Sequence, residues 1–228
     1  MGSPDHYGTE LPSRCLKLLD EMWPNAELVL PKHGDELGPL TATFLLSMAM
    51  PIINLPIERV ERCNGARFDG YIDDRGLDPE LSRRMSACLG GQQIRHASFF
   101  EEGAWSYYRA PLTVPVNISE GFPDLFAIEL EKPEATAAAS SLPGSQWSSI
   151  LRNSMAHGGI VYLDEDGRTA RHRPAKFFVF VSGRFDRDDC GRPVKLNAVE
   201  TLRVSLSQFR VFLRLWVLWL NNPPAEIE

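Results

Sequence analysis

Ser149-Ile150-Leu151-Arg152-Asn153-Ser154-Met155-Ala156-His157-Gly158-Gly159 is the stretch from which the rest of the chain is read. Trp147, Ile150, Leu151 and Met155 recur at the spacing of one buried helical face, Pro143-Gly144 is a turn pair ahead of them, and Ser145 is a good N-cap. The spacing predicts a helix over about 145–157. Gly158 stands where a left-handed residue ends a helix, so His157 falls in the last turn, beside the negative end of the macrodipole, which favours a cation. Asn153 and His157 are four apart and share a face. Ser149 extends that face by a turn, and Arg152 lies one step around the cylinder with a long reach.

These residue types suit the cleavage of RNA without a metal. A His titrates near neutrality and can take the proton of a 2′-hydroxyl, an Arg presents a permanently charged planar fork to phosphate oxygens, and an Asn can orient either group. One Arg and one His are few for this task. A second copy of the chain across a two-fold axis would bring two of each around one phosphate, so a homodimer is expected.

Arg152-Asn153-Ser154-Met155-Ala156-His157 resembles the R-N-x-x-x-H form of the signature of the HEPN superfamily (higher eukaryotes and prokaryotes nucleotide-binding). The resemblance runs from roughly Trp147 to Leu163 and extends loosely to the last helix. It implies a small helical bundle that dimerises across the motif, a metal-independent endoribonuclease, and a place in toxin–antitoxin or other RNA-targeting defence, with room for an antitoxin or regulatory partner. In some toxins of that superfamily a Tyr two residues after the motif His is modified to silence the enzyme. Here that position is Gly159, and Tyr162 is a poor substitute.

Bulk properties bound the reading. The 228 residues are 43% hydrophobic, enough for an ordinary core, and the net charge of −6 argues against a nonspecific nucleic-acid coat while leaving room for a local basic groove. Arg168, Arg171, His172 and Arg173 cluster just after the motif. Arg168, Arg171 and Arg173, with Ser149, are therefore expected to lead RNA to the site. Cys15, Cys63, Cys88 and Cys190 are scattered without a C-x-x-C pair, and no secretory signal is read at the start, which fits a reducing cytoplasm. The apolar run from Val211 to Leu220 is broken by Arg214 and is short for a membrane span, so no membrane association is expected. Asp164 and Asp166 read as turn chemistry. Neither a metal nor a cofactor is expected.

Elsewhere the pattern predicts helices from Leu11 to Trp23, ended by Pro24-Asn25, from Leu40 to about Cys63, and from Leu77 to Leu89, capped by Asp78 and Pro79 and stopped by Gly90-Gly91. Residues 31–38 read as loop, and Asn64-Gly65 and Asp69-Gly70 as turns. The aromatic stretch with Phe99, Phe100, Trp105, Tyr107 and Tyr108 takes no clear assignment. Phe122 to Glu131 reads as helix or strand, and the Ala- and Ser-rich residues 135–145 as a flexible link. After the motif, extended runs from Ile160 to Leu163 and Phe177 to Val181 suggest a small β insertion over about 160–182. Leu202, Leu206, Phe209, Leu213, Trp216 and Leu220 form one stripe, predicting a final buried helix over about 198–221.

The expected architecture is a single, mainly helical HEPN-like domain over 1–228, with an N-terminal helical elaboration and a small β-hairpin or sheet inserted after the motif helix. Arg152, Asn153 and His157 are its expected catalytic residues. Two other readings use the same residues: a noncatalytic module that binds RNA, nucleotide or a protein partner, and a scaffold in which the motif only caps a helix.

Overall fold

A mixed α/β architecture replaces the expected helical bundle. The computed structural model describes residues 3–28, 39–63, 79–188 and 190–222. In chain order it has α1 (Glu10–Leu28), α2 (Thr41–Cys63), α3 (Pro79–Cys88), β1 (Trp105–Ala110), α4 (Asp124–Glu131), α5 (Pro133–Ser141), α6 (Gly144–His157), β2 (Ile160–Leu163), β3 (Phe177–Arg187), β4 (Pro193–Ser205) and α7 (Leu206–Asn221). The expected loop over 31–38, the turns Asn64-Gly65 and Asp69-Gly70, and the cap Asp78 lie outside the described residues.

The β content is the framework of the fold, not an insertion. The strands form one antiparallel sheet in the order β1-β4-β3-β2. Apolar side chains leave both of its faces. On one, Trp105, Phe178, Phe180, Leu202 and Val204 join the core made by α1, α2, α3, α6 and α7. On the other, Ala110, Val161, Leu163, Val179 and Val199 pack with Phe122 and with Phe126 and Leu130 of α4. A sheet covered on both faces needs unbroken apolar runs, which is why Phe177-Phe178-Val179-Phe180-Val181 does not alternate with polar residues.

The predicted last helix is two elements. Leu202 continues the helical stripe of Leu206 and Phe209, yet residues 198–205 are strand, and the helix starts only at Leu206. Ser205 is its N-cap, its hydroxyl accepting from the Gln208 amide at 3.2 Å. Val199, Thr201 and Val204 are β-branched and fill both faces of the sheet, so tertiary burial decides the conformation. From Leu206 onward the helix is buried as expected, at Phe209, Phe212, Leu213, Trp216 and Leu220. At the other end Arg84 caps it, donating to the Trp219 and Asn222 carbonyls at 3.0 Å each and to that of Leu220 at 3.2 Å.

Other helices depart from expectation for local reasons. α1 runs through Pro24 to Leu28 because the turn is held from outside: Trp23 lies under the Arg210 guanidinium at 4.4 Å and donates to Glu27. The link over 135–145 is mostly helix. Pro133 suits its first turn, Ala disposes it to helix, and Ala135 and Ala139 are buried. α2 contains Pro51 and Pro56. Pro56 has no N–H to give the Ile52 carbonyl, and the buried Trp216 Nε1 donates to that oxygen instead at 2.9 Å. α2 is long and apolar enough to cross a membrane, with a mean hydropathy of 1.3 over Thr41–Arg59, but Leu45, Ala49, Ile52 and Ile53 are buried in the protein core.

Candidate active site

The motif helix α6 is fixed at both ends by close backbone approaches. At its start, the Gly144 amide donates to Gln92 O at 2.8 Å and the Ser145 amide to Gly90 O at 2.9 Å. A Cβ on Gly144 would come within 2.3 Å of Cys88 O. Pro143, not Ser145, is the N-cap. Trp147, Ile150, Leu151 and Met155 are buried as the spacing predicts, with Trp147 edge-on to Trp105 and Phe212. Burying each such side chain is worth about 1.5–3 kcal/mol.

At the other end Gly158 is left-handed, with φ 72° and ψ 20°, and its amide donates to Ser154 O. Gly159 then meets β3. Its carbonyl accepts from the Val181 amide at 2.7 Å, and a Cβ there would lie 2.3 Å from Val181 O. The Ser154 hydroxyl, within the motif itself, is 2.9 Å from Val181 O and 2.7 Å from Ile150 O. Helix and strand are thus joined where the motif ends, and the two glycines are required by one left-handed residue and one close contact.

This junction leaves a cleft of about 900 Å³ between α6 and the far part of the β3–β4 hairpin. Ser149, Arg152, Asn153 and His157 all line it from the helix. The hairpin adds Arg184, Arg187 and Glu200. Arg152 is oriented from two sides. Its Nη2 donates to Asn153 Oδ1 at 3.1 Å, and its Nε is 3.6 Å from Glu58 Oε1 on α2. His157 ends the helix with its side chain exposed.

Glu200 is only 3% exposed and sits in a small polar network. Its Oε1 accepts from Gln146 Nε2 at 2.6 Å and from the Tyr107 hydroxyl at 3.1 Å, and Gln146 Nε2 also lies 3.1 Å from that hydroxyl. Burial, reinforced by the neighbouring carboxylate, pushes the Tyr107 phenol well above its ordinary value, so it remains a donor.

The arginines expected to guide RNA are elsewhere. Arg168, Arg171 and Arg173 follow β2 and do not line the cleft. Arg171 donates to Glu120 O at 2.7 Å, and Arg173 lies 3.9 Å from Asp164. The Asp164 carboxylate accepts from the amides of Asp166 and Arg168, the turn role expected of it. Arg184, Arg187 and Glu200 were not singled out from sequence. The β-branched residues Val199, Thr201 and Val204 were the signal that could have placed Glu200 on a strand. The chain matches no protein-family model, no curated protein and no solved structure with which it was compared.

Proposed function

We propose that the cleft is the active site of a metal-independent endoribonuclease. The observation that carries this reading is that Arg152, Asn153 and His157, close in sequence, line one cleft with two arginines, Arg184 and Arg187, brought from a distant hairpin. Three guanidiniums and an imidazole around one concave surface suit an RNA phosphate, although the chain as a whole is acidic. The chemistry comes from the motif on which the HEPN resemblance rests. The helical bundle of that superfamily is not part of the proposal.

In this mechanism His157 takes the proton of a 2′-hydroxyl, the 2′-oxygen attacks phosphorus, and the bond from phosphorus to the 5′-oxygen breaks. An imidazolium returns a proton to that leaving oxygen. Arg152 stabilises the charge gathering on the phosphoryl oxygens, held in place by Asn153 and Glu58. The leaving-group proton comes from the His157 of a second copy in a symmetric dimer. A cytoplasmic defence or toxin role, kept in check by a partner, is the setting this activity fits.

The test is cleavage of mixed-sequence RNA by the purified chain in EDTA, with end-group analysis. The expected products carry 2′,3′-cyclic phosphate and 5′-hydroxyl ends. Recovery of 5′-phosphate ends, or loss of activity with the chelator, contradicts the mechanism. Sedimentation at micromolar protein should give a dimer; a monomer would count against the shared site.

A further inference from the structure

We propose that the RNA strand continues from the cleft along α6 to β1, where Arg109 holds a phosphate beyond the one being cleaved; this rests on the reading of the cleft as an RNA site. Arg109 does not itself line the cleft. The sheet brings it beside a residue that does.

Arg109 on β1 pairs with Glu200 on β4, and Glu200 pairs in turn with Ser182 on β3. Paired residues leave a sheet on the same face. Arg184, two along from Ser182, shares that face, and so does Tyr107, whose hydroxyl reaches Glu200 at 3.1 Å. Arg109 and Arg184 therefore stand on the two strands that flank Glu200, about 10 Å apart across the sheet. The charge of both acts on the Tyr107 phenol, partly offsetting the rise that burial and Glu200 cause, which puts the two guanidiniums near one point.

Both arginines are exposed, and among the described residues neither forms an ion pair or a side-chain hydrogen bond. Glu200, although between them, accepts instead from Gln146 and Tyr107. Asp186, the other carboxylate lining the cleft, accepts from Asn197 at 2.6 Å. Guanidiniums left without a carboxylate beside a phosphate site attract the next phosphates of the same strand. The helix sets the length of the path. Gln146, in the first turn of α6, bonds to Glu200, the partner of Arg109, and His157 ends that helix about 16 Å further on. At about 3.4 Å for each stacked nucleotide, that distance takes several nucleotides.

Fluorescence anisotropy with a labelled 2′-O-methyl hexauridylate, which has no 2′-hydroxyl and is not cleaved, measures binding by the full chain across a salt series. Arg109→Ala should weaken binding about threefold to tenfold at low salt and reduce the salt slope by about 1. Arg109→Lys keeps the charge and should recover most of the affinity. Arg171→Ala, which removes a guanidinium outside the cleft, should bind as wild type does. No binding by wild type, a salt slope unchanged in Arg109→Ala, or an equal loss in Arg171→Ala overturns the proposal. Cleavage of RNA is scored separately: binding that depends on Arg109 without cleavage upholds the path and defeats the nuclease, whereas cleavage with the salt slope unchanged in Arg109→Ala does the reverse.

Discussion

The hydroxyl of Ser154 lies 2.9 Å from the carbonyl oxygen of Val181, tying the motif helix to the strand that carries Arg184 and Arg187. The cleft therefore has one wall on each side of a fixed junction. Ser154→Ala should destabilise the fold by about 1–2 kcal/mol, and Gly159→Ala by about 1–3 kcal/mol because its Cβ meets backbone, not a movable side chain. Thermal denaturation checks this. An unchanged Tm for Gly159→Ala would show that the junction is slack.

In the proposed mechanism Arg152 serves phosphate through a planar fork, which Asn153 and Glu58 orient. Arg152→Ala should lower cleavage by about a hundredfold or more, and Arg152→Lys should recover little of it, since an ammonium cannot reproduce the paired geometry. Glu58→Ala should have a milder effect, because Glu58 is 43% exposed and 3.6 Å away. Single-turnover rates distinguish these cases.

Trp216 takes the acceptor that Pro56 leaves open on Ile52. Trp216→Phe should cost about 1–3 kcal/mol by stranding a buried carbonyl, while Pro56→Ala in the same background should restore part of it by returning the helical N–H. A double-mutant cycle in urea measures the coupling. Additive effects would contradict the link between the two residues.

Asp20 joins α1 to α7 through Arg210 at 2.9 Å and Arg214 at 2.8 Å. Burial alone would raise its pKa, but hydrogen bonds and charge from Arg214 and Arg210 outweigh it and hold the carboxyl below its ordinary 3.8. Its contribution is thus complete above about pH 4 and is lost as the pH falls through the depressed folded value. Asp20→Asn should remove that part of the acid dependence and lower stability at neutral pH. Denaturation between acid and neutral pH would show parallel curves if the pair contributes nothing.

What the sequence made legible is local. α6 has a helical apolar period and a glycine stop within fifteen residues, so its boundaries and its polar face were readable. The sheet was not, because each strand borrows its burial from partners distant in the chain. Leu202 extends a helical stripe by coincidence of spacing, and only pairing with Phe180 and Tyr107 makes it a strand residue. The Trp105–Ala110 strand carries no flanking turn pair to announce it. Ala135 and Ala139 looked like a linker until packed. The same limit applies to the site: Arg168, Arg171 and Arg173 are near the motif in sequence but outside the cleft, whereas Arg184, Arg187 and Glu200 reach it by the fold of the hairpin.

In the proposed mechanism His157 performs proton transfer in this cleft. The most direct measurement is cleavage and binding of one RNA by wild type and His157→Ala, side by side in EDTA. Cyclic-phosphate products are expected from wild type and none from the variant, with RNA affinity and Tm nearly unchanged, because His157 is an exposed residue at a helix end. Equal cleavage by both proteins, or no cleavage by wild type in the presence of tight binding, would contradict it.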